Sequence, residues 1–385
     1  MNRPIPKGWC PSAYQPMASG DGLLVRLKPR FGRFSAKQLA NISQLASHYG
    51  NSIIDLTSRA NFQIRGVSET DYPALLDALK TQNLVHNNVA EEQLNLMISP
   101  TTAPHSEGWR CAELLYSIAG LLPELPAKFG FVIDTGPTRL LSKASGDIRL
   151  EQAENEGLLL RCEGQDTGFK TSIETFPDDI LALTNWVSNL KSEQNRRMRN
   201  LADKMPAQWT GATPTGKALS LSFDQFPDGQ VIAAAYGHID AADLARISNS
   251  LPEYAEVIIL PNRSLFYPDG LFQTSDGFIT DNTDVRLSIA ACPGAPACAS
   301  ATINTRELAD EMAASGLVRP SDTFHVSGCE KGCASSMPRD ICITGSEGLF
   351  DVIEKGCAWQ NPSVTSLSRP ELLQWLTAYK EEKAF

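Results

Sequence analysis

Four cysteines near the C-terminal end have the type and spacing for metal chemistry. Cys292 and Cys298 lie in CPGAPAC, and Cys329 and Cys333 in SGCEKGC, so the pattern is C-x5-C, thirty intervening residues, then C-x3-C. Four thiolates drawn from two loops match the four corner irons of a cubane [4Fe–4S] cluster. Structural zinc sites use pairs spaced C-x2-4-C and match less well. The residues in and beside the pairs are mostly small (Pro293, Gly294, Ala295, Pro296, Ala297, then Gly328 and Gly332), which lets backbone N–H groups approach inorganic sulfide. Buried thiols that share a region by chance are common as singletons. Two close pairs in glycine-rich loops are not. Cys10, Cys111, Cys162, Cys342 and Cys357 are scattered and read as ordinary thiols.

A second candidate is cationic. In RANFQIRG the side chains alternate across a strand, so Arg59, Asn61, Gln63 and Arg65 share one face and Phe62 and Ile64 the other. This row of donors suits carboxylates or a polar heterocycle. Arg26, Lys28 and Arg30 make a second cationic row in GDGLLVRLKPR, adjacent if the two strands pair. The plain alternative is a solvated strand face.

The elements that must position these groups form a duplicated plan. In the first copy a strand over 20–30 leads to a helix with a Ser35/Gln38 capping box and an apolar stripe of Leu39, Ile42 and Leu45, ended by Gly50. The strand IIDLTSRANFQIRGV and a helix carrying Leu75, Leu76 and Leu79 follow. The second copy places strands at 218–226 and 230–236, a helix capped by Asp240 with Leu244 and Ile247 inward, and EVIILPNRSLFYPDG. Leu56 aligns with Leu260, and Arg59 with Arg263. Each unit reads as a ferredoxin-like α+β layer. After each comes a longer segment with a short apolar strand ending in Thr-Gly, KFGFVIDTG and RDICITG. The charged stretch 193–205 reads as a linking helix. The expected fold is α+β with pseudo-twofold architecture: half-domains at 1–85 and 206–280, a cysteine-poor domain at 86–205 and a cluster domain at 281–385.

A net charge of −10, from 34 basic and 44 acidic residues, argues against generic nucleic-acid binding. No run approaches the ~18 apolar residues of a membrane span. MNRPIPKGWCPS lacks the apolar core of a signal peptide. A cytoplasmic protein is expected, with its nine cysteines reduced or ligating metal.

C-x5-C with C-x3-C, TSRANFQIRG, LPAKFGFVIDTG and the twofold plan together cover most of the chain. On them the protein resembles the sirohaem-type sulfite and nitrite reductase superfamily. The resemblance implies that Cys292, Cys298, Cys329 and Cys333 hold a [4Fe–4S] cluster. It also implies that the paired domains form a pocket for a carboxylate-rich tetrapyrrole. Within the superfamily, WCPSAYQPMASGDGLLVRLKP, SRANFQIRG and SGCEKGCA are similar to the precorrin-3B synthase branch of aerobic cobalamin biosynthesis. The anion reductases usually have Cys-Pro-Asn where this chain has Cys329, Glu330 and Lys331. Of the four basic residues usual around their anion, Arg59 and Lys128 match two, while Leu94 and Gly130 stand at the other two.

That branch implies precorrin-3A and oxygen as substrates, with hydroxylation at C20 and closure of a γ-lactone. Arg59 and Lys128 are then the catalytic candidates, and Arg26, Lys28, Arg59, Asn61, Gln63 and Arg65 bind substrate. Oxygen chemistry needs a redox centre. Should a mononuclear non-haem iron exist, His325, four residues before Cys329, is its candidate ligand, although a lone histidine is more often structural. Neither G-x-G-x-x-G nor a phosphate loop is present, so a separate NADH-linked reductase or ferredoxin is the expected electron donor. Two alternatives stand beside this reading: a sirohaem-dependent nitrite or sulfite reductase, and a non-catalytic iron–sulfur protein that binds a tetrapyrrole or transfers electrons.

Overall fold

The computed structural model describes residues 10–192, 196–219, 221–226, 228–273 and 277–382. In chain order the first copy comprises β1 (Met17–Ser19), β2 (Gly22–Leu27), β3 (Arg33–Ser35), α1 (Ala36–Tyr49), β4 (Ile53–Leu56), β5 (Phe62–Val67) and α2 (Tyr72–Thr81). It continues with α3 (Val89–Gln93), β6 (Leu96–Ile98), α4 (Glu107–Ser117), β7 (Phe131–Asp134), β8 (Ile148–Gln152), β9 (Leu158–Cys162), β10 (Phe169–Thr171) and α5 (Phe176–Asn189). The second copy comprises β11 (Gln230–Ala234), β12 (His238–Asp240), α6 (Ala241–Asn249), β13 (Glu256–Leu260), β14 (Ser264–Tyr267) and β15 (Phe278–Ile279). Then come β16 (Ile289–Ala291), α7 (Thr305–Ala314), β17 (Phe324–Ser327), β18 (Arg339–Ser346), β19 (Leu349–Gly356), β20 (Val364–Leu367) and α8 (Arg369–Glu382).

Four five-stranded sheets result, and they repeat in pairs. The half-domain sheets run β1-β2-β5-β4-β12 and β15-β11-β14-β13-β3. Each takes an edge strand from the other copy: β12 pairs antiparallel with β4, and β3 with β13. The two half-domain sheets are therefore interlocked, and α1 packs on α6 above one shared core containing Leu39, Ile42, Leu244 and Ile247. Exchange of edge strands removes two open edges that would otherwise invite aggregation. The other two sheets run β6-β7-β8-β9-β10 and β16-β17-β18-β19-β20. In each, the first three strands are parallel and the last two join antiparallel.

Local chemistry explains the first helix. Ser35 Oγ accepts from Gln38 N at 3.2 Å while Gln38 Oε1 accepts from Ser35 N at 2.9 Å, the reciprocal box the sequence indicated. Leu39 and Ile42 are fully buried, each contributing about 2 kcal/mol of apolar burial. At Gly50 a Cβ would stand 2.4 Å from Arg65 O, so the helix must end on glycine there.

Several expectations differ from the structure. Residues 218–226 form no strand among those described: Ala218 makes one isolated bridge to Arg139, and Phe223–Gln225 is a 3-10 turn. In the supposed linking helix, Met198–Lys204 is 3-10 and residues 193–195 lie outside the described chain. Asp240 stands at the N-cap of α6 without a side-chain cap bond, its carboxylate lying 3.7 Å from His238 Nε2. The two Thr-Gly strands are not counterparts. Phe131–Asp134 is second in its sheet, whereas Arg339–Ser346 is third. Short apolar runs look alike in sequence, and only the hydrogen-bonded order separates them.

Candidate functional site

The cysteines sit where a parallel sheet places ligands, beyond the carboxyl ends of adjacent strands. Cys292 follows β16, and Cys329 follows β17 by one residue. The two loops are sewn together. Gly328 N donates to Cys292 Sγ at 3.2 Å, Thr302 N to Gly328 O at 2.9 Å, and Lys331 Nζ to Ser300 Oγ at 2.6 Å. Thr305 Oγ1, at the start of α7, donates to Cys292 O at 2.5 Å. Glycine makes this approach feasible. Gly294 has φ +69°, and a Cβ on it would stand 2.5 Å from Thr305 Oγ1. A Cβ on Gly328 would stand 2.4 Å from the Ala301 Cβ. Gly328→Ala is expected to cost about 1–3 kcal/mol through overpacking and to lower iron incorporation. Thermal unfolding and iron assay check it.

Cys292 is buried, Cys298 and Cys329 half-buried and Cys333 exposed. Burial pushes the Cys329 and Cys333 thiols up. At Cys333 the neighbouring thiols add to that rise and the Lys128 ammonium opposes it; at Cys329 the Lys331 backbone N–H opposes it. Among the described residues no three His, Cys, Asp or Glu side chains stand close enough to share a single metal ion. Ligands of one zinc would lie about 3.8 Å apart, given Zn–S bonds near 2.3 Å. Cluster thiolates each bind a different corner iron and stand wider. The donor set, with an N–H aimed at sulfur and loops that only glycine permits, fits a cubane cluster. His325 lies fully buried on β17, 3.5 Å by Nδ1 from Cys342 Sγ, and its Nε2 has no partner among the described residues. Burial, with Arg339 and Arg263 nearby, presses its pKa down to about 4, so the ring is neutral.

The cationic residues divide into three groups. Arg59 lies on the turn before β5, where Ala60 takes φ +56°, so it does not extend the strand row. Its Nη1 and Nη2 both donate to Lys128 O at 3.3 Å, and Nη2 also to Ser145 Oγ at 3.1 Å. The sequence-predicted pair is thus brought together, with Arg59 holding the backbone of Lys128. Arg26 and Gln63 face each other across paired strands, Arg26 donating by Nε at 3.0 Å and Nη2 at 2.6 Å to Gln63 Oε1. Asn61 is buried and closes the Arg59 turn by donating its N–H to Thr57 Oγ1 at 3.2 Å. Arg65 is a correction. Its guanidinium is ion-paired to Asp21 and Asp55 and bonded to Ser19 and Ala297, so its donors are committed to protein and not to substrate. Arg30 also leaves the row and pairs with Glu91 at 3.3 Å. Arg263 aligns with Arg59 in sequence, but its own loop is two residues shorter between paired Leu260 and Ser264 than that between Leu56 and Phe62.

A cavity of about 1000 Å³ opens beside this wall. Lys28, Lys128, Lys191, Arg196 and Arg197 line it, with Glu124 the one acid among its described lining residues. Leu94 also lines it, and Lys28 Nζ donates to Leu94 O at 3.0 Å and to Asn95 Oδ1 at 3.3 Å. A cation from β2's end therefore reaches the place where Leu94 itself brings none. Gly130 donates its N–H to Asp147 Oδ2 at 2.9 Å. Burial lowers Lys28 to about 8 against the opposing pull of Glu92; burial raises Glu92, which is fully enclosed, to about 7. Sequence reasoning missed Glu92, which carries no motif. Cys10, read from the sequence as an ordinary thiol, also lines the cavity. Cys111, Cys162 and Cys342 are pushed up to about 12 by burial and are inert.

Comparison with known proteins agrees with this architecture. Residues 15–94 match the nitrite/sulfite reductase ferredoxin-like half domain. A protein named precorrin-3B synthase, from Sinorhizobium sp, is 27% identical over 397 residues, spanning 93% of this chain and 84% of the relative. The solved structure of the Mycobacterium tuberculosis NirA protein superposes with a TM-score of 0.62 at 17% identity, covering 86% of this chain and 74% of the other. The chain therefore has the duplicated nitrite/sulfite reductase-like fold, carries that family's half domain at residues 15–94, and is similar over nearly its whole length to a precorrin-3B synthase.

Proposed function

We propose that this chain is a precorrin-3B synthase, an oxidoreductase of cobalamin biosynthesis that hydroxylates precorrin-3A at C20 while an acetate side chain closes a γ-lactone. One oxygen atom of O2 enters the product and the other leaves as water, with two electrons and two protons from an external donor. The observation that carries this reading is the cation-lined cavity of about 1000 Å³, whose Lys128 also acts on Cys333. A macrocycle bearing many carboxylates suits a wall with five cations and one acid. When bound, a [4Fe–4S] cluster on Cys292, Cys298, Cys329 and Cys333 supplies single electrons. Lys28 and Lys128 hold substrate carboxylates, and Arg59 sets the position of Lys128. Asn61 holds the Arg59 turn, and Arg26 with Gln63 stiffens the strands behind it. A compact anion-reducing site is disfavoured by Leu94 and Gly130, which bring no side-chain charge. A separate reductase or ferredoxin in the cytoplasm supplies the electrons, so NADH alone does not reduce the purified protein rapidly.

The test is anaerobic purification, a visible spectrum and iron assay, then addition of precorrin-3A, oxygen and a reductant. A hydroxylated, lactonised product supports the assignment. Bound sirohaem with viologen-driven nitrite or sulfite reduction replaces it with the anion reductase, and tight tetrapyrrole binding without turnover with a non-catalytic role.

Charge on Lys28 makes binding depend on pH. Lys28 is cationic below about 8 and neutral above, while in the unfolded chain it stays cationic to 10.5. Between those values the unfolded state binds more protons, so the Lys28 contribution to stability rises with pH there. Ligand affinity goes the other way. A uroporphyrin probe is expected to bind about tenfold more weakly at pH 9 than at pH 7, and Lys28→Met to flatten that dependence in a fluorescence titration.

A further inference from the structure

The turn between β1 and β2 lies against the Cys292–Cys298 loop, and three donors converge there on one carbonyl. Ala297 O, one residue before Cys298, accepts from Arg65 Nη2 at 2.8 Å, Ser19 Oγ at 2.7 Å and Gly20 N at 3.2 Å. A Cβ on Gly20 would stand 2.6 Å from Pro296 O, so the turn depends on glycine for this approach. Arg65 is only 2% exposed and is itself gripped. Its Nε and Nη2 donate to the two oxygens of Asp21, each at 2.9 Å, and its Nη1 to Asp55 Oδ2 at 2.9 Å. The other Asp55 oxygen accepts from Arg306 Nη2 at 2.5 Å, and Arg306 Nη1 lies 2.7 Å from His238 Nδ1. Arg306 is in the first turn of α7, the helix that the cysteine loop leads into.

The loop is therefore held on both sides through one carboxylate. Burial alone would raise the Asp55 carboxyl, but Arg306 and Arg65 outweigh it and keep it low, so Asp55 is charged between two cations. Charge-assisted hydrogen bonds of this kind are short and directional. A buried ionic network adds little net stability but imposes one geometry, because removing a member strands the others. The strand that carries Arg65 belongs to the half-domain sheet, and its target belongs to the cluster loop, 232 residues away in sequence.

We propose that Arg65 is the positioning residue of the Cys298 loop, transmitting the placement of the first half-domain through Asp21, Asp55 and Arg306 to the backbone beside a cluster ligand. The inference rests on the cluster reading of the four cysteines only for its second readout. Its first readout is hydrogen exchange of the full chain, as purified and after removal of iron. In Arg65→Met the amides of residues 297–302 are expected to exchange at least about tenfold faster while the α5 segment is unchanged. Loss of the cluster to a chelator speeds up by a similar factor. Asp21→Asn, which loosens one side of the fork and keeps Asp55, produces a smaller acceleration in the same segment. Arg65→Lys, which has no fork, restores the loop only in part.

Wild-type exchange at 297–302 in folded Arg65→Met overturns the proposal. So does uniform acceleration along the whole chain in Arg65→Met together with no local change in Asp21→Asn. If the wild-type chain takes up no cluster under anaerobic iron and sulfide, the cluster reading fails by itself, and the exchange result still decides the role of Arg65.

Discussion

Cys333→Ser abolishes the intact cluster. A serine hydroxyl titrates far above the thiol range and is a poor ligand for a corner iron, so the variant should lose most of its iron–sulfur absorption and its reduced-state EPR signal, and with them turnover. The fold should survive. Cys333 is exposed and is not among the buried core residues, so thermal unfolding of the iron-free variant should match the iron-free wild type to within about 0.5 kcal/mol. A normal EPR signal in the variant breaks the ligand assignment. Cys292 gives the contrasting case, because its buried sulfur accepts the Gly328 N–H and its carbonyl the Thr305 hydroxyl. Replacing it disturbs loop and cluster together, which makes Cys333 the cleaner probe.

Arg59→Met lowers kcat/KM about a hundredfold and leaves cluster content unchanged. The guanidinium holds Lys128 O with both terminal nitrogens and Ser145 with one, and burial with Arg197 nearby already presses its pKa down. Without it the Lys128 backbone loses two donors at the cavity wall, and a displacement near 1 Å there is worth a factor of about a hundred. Arg59→Lys keeps the charge but not the fork and should recover only part of the rate. Steady-state kinetics with precorrin-3A, alongside iron content, separates the two effects. An unchanged kcat/KM with displaced substrate binding elsewhere would remove Arg59 from the site. Lys128→Met supplies the partner measurement, since it removes a charge from the cavity and one whose field reaches Cys333 at once.

The readable parts of this chain were those whose signal is local. The Ser35/Gln38 box and the Leu39–Ile42–Leu45 stripe appear where sequence places them, because capping and periodicity depend on neighbours within a few residues; the single strand expected over IIDLTSRANFQIRGV is instead the antiparallel pair β4 and β5. Arg59 was legible as a candidate, yet its task was not. Alternation extended a strand through Arg59 and Asn61, whereas the structure ends β4 at Leu56 and begins β5 at Phe62, with a left-handed Ala60 in the turn. Arg65 shows the same limit more strongly. On β5 its position is as the alternation implies, but Asp21, Asp55 and Ala297 approach it from three separate elements.

By itself the sequence carried the cysteine pattern that points to metal chemistry, the duplicated plan and the cationic character of one strand region, since each is written in residue types at short fixed spacing. Tertiary structure alone decided that the half-domains trade edge strands, that Lys28 reaches Leu94, that Lys128 from one copy comes within electrostatic range of Cys333 of the other, and that Arg65 binds Ala297 O beside Cys298. Those pairings join residues 66 to 232 positions apart, where sequence spacing carries no distance information and packing of whole sheets does.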